Sequence, residues 1–140
     1  PIRQTISELG ETGDKDAFAV NASFFLPVGL LFLWIAFRGN FEGIKHWVCA
    51  CMGFGYTLSA IFPCDPGSPV SGSWKQWIHN FSGAVEYIGS GVFIYLTDQI
   101  LLAQLIFFST LLMMFPPLFF VRGLVQRILE GLLIGWLLFV

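Results

Sequence analysis

From Ala17 to Phe37 the chain runs 21 residues without a formal charge. Within that run "GLLFLWIAF", Gly29 to Phe37, puts apolar side chains on every side of a helix. A helix on the surface of a soluble protein keeps a polar face, and this one has none. Four more apolar stretches follow. They are Trp47 to Phe62 with His46 at its edge, Ile78 to Leu96 holding His79 and Glu86, the uncharged Ile100 to Val121, and Ile128 to Val140 interrupted only by Glu130. A membrane span takes about 20 apolar residues, or about 17 when flanking side chains snorkel. The first and fourth stretches reach that length, and the second and third reach it with their flanks. The last has 13 residues and spans if its helix begins near Leu124 with Arg127 snorkelling. The pattern predicts an all-α integral membrane bundle of five transmembrane helices. Residues 1–16 form a polar extramembrane segment, and 17–140 form a single transmembrane helical domain.

The polar breaks set the connections. Arg38 to Lys45, "RGNFEGIK", is a tight connector, and Asp98 with its neighbours is a tighter one. Pro116 and Pro117 should kink or end the fourth helix, because proline disfavours helix at the residue before it. Gly10 and Gly13 among the first sixteen residues predict a short, turn-containing segment. On the amino-terminal side lie Arg3, Lys15, Lys75, Arg122 and Arg127, against Arg38 and Lys45 opposite. By the positive-inside rule that side faces the cytoplasm.

Composition supports the same class. The chain is 56% hydrophobic and only 11% charged, whereas soluble domains carry about 25% charged residues. A net charge of -2 with no basic run leaves nucleic acid out as a partner and makes the lipid bilayer the expected one. The polar opening "PIRQTISELGETGDKD" is not a secretory signal. Cys49 and Cys51 sit two apart and point to different sides of a helix, and Cys64 lies about 20 Å beyond Cys51 along it. No disulfide among the three is expected.

Asp65, His79 and Glu86 are the candidates for chemistry. A charged group within a span costs about 2.5–3.5 kcal/mol, so it faces the bundle interior or a water-filled cavity. His79, Ser82 and Glu86 follow spacings of three and four and share one helix face, with Gly83, Gly89 and Ser90 near the same stripe. Glu86 is either a carboxyl tying helices together, through Asn21 or Gln104, or a proton, ion or substrate site. His79 either fastens the loop by bonding Asp65 or forms an acid–base or metal pair with it at the membrane surface. Two residues are too few for a usual zinc centre, so no metal is assigned. His46 and His79 open antiparallel neighbouring helices about 25 Å or more apart, which rules out a two-histidine haem within one copy. No phosphate loop, nucleophile elbow or HExxH is present. Trp74 and Trp77 suit the interfacial belt, and "CDPGSP" is turn chemistry.

In order along the chain, "ISELGETGDKDAFAVNASFFLPVGLLFL", "IFPCD", "IHNFSGA" and "GLVQRI" before a helix with Trp136 resemble the domain-of-unknown-function 998 family. These are small multipass bacterial and archaeal membrane proteins. The resemblance implies a cytoplasmic (inner) membrane location, Ile6 to Gly10 before a span, Phe62-Pro63 with Asp65 after the next, and His79 opening the third. It implies no reaction. Family members resemble six-helix proteins with a helix ahead of "SELG"; that helix is missing here and the chain ends "LLFV" with no polar anchor, so both chain ends read as incomplete. With six helices and a cytoplasmic amino end, the "FPCD" loop faces outward, against the charge count, so orientation stays open.

Three functions remain. An accessory subunit packing against a larger membrane protein complex is slightly favoured by aromatic-rich spans and scarce chemistry. A membrane enzyme would act on lipid or headgroup with Asp65 and His79. A small proton-linked transporter would use Glu86.

Overall fold

A computed structural model describes residues 2–39 and 43–139; the connector expected between Arg38 and Lys45 lies partly outside them. Among the described residues the chain is all-helical, as the hydropathy pattern predicts. Five long helices follow the amino-terminal segment. The first, α1, runs Ala17–Arg38, with a π-helical turn at Asn21–Phe25. That wide turn sits just ahead of Pro27, whose ring would otherwise crowd the carbonyl four residues back. Next come α2, Ile44–Ile61, and α3, in which Trp74–Ala84 passes through a π-helical turn at Val85–Gly89 into Ser90–Tyr95. Then follow α4, Ile100–Met114, and α5, Arg122–Phe139.

The proline pair acts as its chemistry demands. Phe115 is extended, with ψ 108°, Pro116–Val121 forms a 3₁₀ turn, and the chain bends by 106° between α4 and the segment that follows. By length and hydropathy alone, α1 is the helix long and apolar enough to cross a membrane among the described residues. The bent pair of α4 with Pro116–Phe139 passes together.

The tightest crossing is α1 on α2, where two glycines meet. A Cβ at Gly29 would stand 2.6 Å from the Thr57 nitrogen, and one at Gly53 would stand 2.7 Å from the Leu33 nitrogen. Small residues at a crossing let backbones approach and gain dispersion energy. Met52, Ile94, Ile106, Leu129 and Leu133 form the apolar core.

Polarity is reversed elsewhere. Phe18, Trp34, Leu101, Phe108, Leu111 and Leu138 are all at least 60% exposed. Meanwhile Gln76, His79, Ser82, Glu86, Gln126 and Glu130 are buried. On α5 the buried positions Gln126, Leu129, Glu130, Leu133 and Leu137 form one stripe at helical spacing.

One end of the bundle is closed by the amino-terminal segment. Ser7–Gly10 forms a 3₁₀ turn, the Leu124 amide donates to the Ile2 carbonyl at 3.0 Å, and Arg127 donates to the Gln4 carbonyl at 2.8 Å. Arg122, 7% exposed, pairs with Glu8 at 2.7 Å and donates to the carbonyls of Gly67 and Ser68. The segment, the 63–73 loop and the start of α5 thus meet at one end, the grouping on which the charge count rests.

Candidate functional site

The three candidate residues fall into two places. Asp65 belongs to the loop alone. Its carboxylate accepts from the Ser73 amide and the Ser73 hydroxyl, each at 2.7 Å, and those two bonds hold it below the usual carboxylate range. Ser73 in turn caps α3 by accepting from the Gln76 amide. The Asp65 amide donates to Gln76 Oε1 at 2.7 Å, and Asn80 donates to the Val70 carbonyl at 2.8 Å. The first two turns of α3 therefore fasten the loop.

His79 does not bond Asp65. Its Nδ1 lies 3.1 Å from the Phe62 carbonyl, at the end of α2, while the Asp65 carboxylate is held by Ser73. A carbonyl only accepts, so Nδ1 carries the proton. The expected Asp65–His79 pair is replaced by two separate fastenings. Cys64, fully buried beside the Ser7 carbonyl, has its thiol pushed up to about 12 by that burial.

Glu86 sits in the π-helical turn of α3, 5% exposed, and its partner is neither Asn21 nor Gln104. Asn21 donates to the Gly10 carbonyl, and Gln104 is exposed. Instead Glu86 lies within hydrogen-bonding reach of Glu130 on α5. Two carboxyls bond each other only when one of them carries a proton. The Tyr87 hydroxyl donates to Glu130 Oε1 at 2.8 Å, and Gln126 Nε2 donates to the Tyr87 oxygen at 3.0 Å. Gln126 Oε1 accepts from the Ile6 amide at 2.6 Å, so the chain of bonds ends on the amino-terminal segment. Tyr56 of α2 also reaches Glu130.

The wide turn is what makes this meeting possible. The extra residue in a π turn rotates the helix face, so adjacent Glu86 and Tyr87 are both buried. Gly55 of α2 completes it: a Cβ there would stand 2.6 Å from both Cβ and Oε2 of Glu86. Two acceptors of the pair, Glu86 Oε1 and Glu130 Oε2, are buried, and no donor group among the described residues bonds either of them.

A half-open cavity of about 170 Å³ reaches Glu86 from the end closed by Arg122. His79, Asn80 and Ser59 line its polar side, and Ile88, Met113 and Met114 its apolar side. Ser59 and Ser82 bond at 2.8 Å beside it, and Ser82 donates to the His79 carbonyl, which makes Ser59 the donor of that pair.

Sequence reasoning reached Glu86 and its face but passed over Glu130, Tyr56, Tyr87, Gln126 and Arg122. A signal existed for two of them. Gln126 and Glu130 stand four apart on the stripe of Leu129, Leu133 and Leu137, the spacing of one buried face.

Fold and site together define an all-helical protein with an apolar exterior and an acidic pair at its centre. The chain belongs to the DUF998 family of proteins of unknown function, whose pattern matches residues 1–140. No curated protein and no solved structure matches it.

Proposed function

We propose that this chain is a multispan integral membrane bundle and that it works as a proton-linked carrier of a small ligand, with Glu86 and Glu130 as the proton-holding pair. The observation that carries the reading is the pair itself: two buried carboxyls, two unpartnered acceptors, and a cavity that reaches Glu86. Buried ionisable groups are expensive in hydrocarbon surroundings and mark proton or substrate paths when they are kept. The exposed aromatic and aliphatic exterior supports the membrane part, since a water-facing surface rarely carries apolar patches of that extent.

The slightly favoured accessory-subunit expectation accounts for the apolar exterior equally well. It gives no reason for two buried carboxyl oxygens left without a hydrogen-bond partner beside a cavity that reaches Glu86. The enzyme expectation loses its pair, because Asp65 and His79 are engaged separately.

The test is proton exchange by the detergent-solubilised protein on addition of three probes of similar size: an organic cation, an organic anion and a neutral alcohol. Release or uptake with at least one probe, absent in both Glu86→Gln and Glu130→Gln, is the expected result. No exchange with any probe, or exchange unchanged in both variants, overturns the carrier. Fixed-stoichiometry co-purification with a larger complex, without any proton exchange, gives the role to an accessory subunit.

A further inference from the structure

Resting on the carrier reading, we infer that the ligand is a small apolar organic cation, which takes the place of the proton on the Glu86–Glu130 pair.

Charge compensation around the cavity carries the inference. Arg122 is the cation that lines it, and its charge is already met by Glu8 at 2.7 Å and by the carbonyls of Gly67 and Ser68 at 2.6 and 2.7 Å. An anionic ligand would have to compete with all three. Only Nε of Arg122 lacks a partner. At the inner end the imbalance has the opposite sign. Among the described residues no donor bonds the buried Glu86 Oε1 or Glu130 Oε2, and no cation pairs with either carboxyl.

The groups that face Glu86 are few. From α2 come Tyr56 and Cys51, from α3 Tyr87 and His79, from α5 Glu130, and at the cavity mouth Arg122 with Glu8. Neither α1 nor α4 brings a titratable group to the site, since the residues of Ile100–Met114 are all uncharged and the charged end of α1 is Arg38, at its far terminus. Among the described residues the basic side chains lining the cavity are His79, which donates to the Phe62 carbonyl, and Arg122, which pairs with Glu8, so neither neutralises a second carboxylate. A proton or a ligand cation must do so.

The apolar part of the cavity lining fits the rest of such a ligand. Ala84, Ile88, Met113 and Met114 offer apolar and polarisable surface. Ile88 and Met114 are 43% and 52% exposed, so the cavity opens sideways between α3 and the end of α4. The exchange balances in charge: one cation enters the site, one proton leaves the carboxyl pair, and no covalent bond of the ligand changes.

Benzyltrimethylammonium is a suitable probe, because its fixed charge prevents it from crossing a bilayer as a neutral amine. Its counterparts are phenylacetate and benzyl alcohol. In vesicles containing the protein and an internal pH dye, external benzyltrimethylammonium should make the interior more alkaline as protons leave in exchange. In detergent it should release about one proton per cation bound, and acid should weaken its binding. Glu86→Gln should weaken it about 10- to 100-fold, the loss of one charge-assisted contact. Glu86→Asp, which keeps the carboxyl, should restore proton release and controls for misfolding. Equal binding in Glu86→Gln, no response of the wild-type protein to the cation, or an equal response to benzyl alcohol overturns the inference. Glu86-dependent proton exchange with phenylacetate or benzyl alcohol alone would leave the carrier standing and remove the cation. Silence with all three removes both.

Discussion

The loop between α2 and α3 and the carboxyl pair in mid-bundle each hold acidic and hydrogen-bonding side chains, yet they are built on opposite rules. In the loop every buried polar side-chain atom of Asp65, Ser73, Gln76, His79 and Asn80 has a partner. Such a network is finished: its buried groups are spent on fixing one conformation. In the bundle, Glu86 Oε1 and Glu130 Oε2 are left over. An unmade hydrogen bond on a buried group costs more than a made one contributes, so a site that keeps two of them is poised to gain a partner. The presence of acids and a histidine does not distinguish a turn from a site; the degree of satisfaction does.

Several changes would break or sharpen that contrast. The largest effect is expected at the seam where the two regions share Arg122. Arg122→Ala leaves Glu8 and two loop carbonyls without their donor and should cost about 3–5 kcal/mol, as for other broken buried pairs. Thermal unfolding in detergent measures it, and a loss below about 1 kcal/mol would show that the amino-terminal segment is not held by this pair.

Gly55→Ala comes next. The added methyl lands on Glu86 and should cost about 1–3 kcal/mol by overpacking. An unchanged melting temperature would mean that α2 and α3 stand farther apart at this level. Glu86→Gln is the smaller but sharper change, because it removes the need for a shared proton while keeping the shape. Its unfolding temperature should hold or rise while proton exchange disappears. A large destabilisation would make Glu86 a fastening group like those of the loop.

The smallest effect is one of pH. The Asp65 carboxyl is held below its usual range by the Ser73 amide and hydroxyl. Its contribution is therefore complete above the ordinary carboxylate value and is lost as pH falls through the lowered one. Amide exchange at Ser73 should accelerate only in strong acid, and Asp65→Asn should flatten that dependence. Acceleration already near neutrality would contradict the assignment.

How much of this was legible beforehand differs by residue. Apolar run lengths carry the all-helical class, and Phe115-Pro116-Pro117 places the break after α4, since both rest on local chemistry. The shared face of His79, Ser82 and Glu86 follows from helical spacing, and all three are buried. The partners were not legible. Asp65 lies in the loop and His79 fourteen residues on, inside α3, and which partner each meets depends on how Ser73 folds back over the turn. Glu86 and Glu130 stand 44 apart and meet only because α5 packs beside α3 after the 106° bend. The π turn that aims Glu86 and Tyr87 inward together leaves no mark in the residue pattern.

By itself, then, the sequence determined the helices, their breaks and the reversal of polarity, because these depend on neighbours one to four residues away. Only the tertiary structure decided which carboxyl meets which. A long-range contact is set by the packing of whole helices, and Gly55, lacking a side chain, is what admits Glu86 to its place.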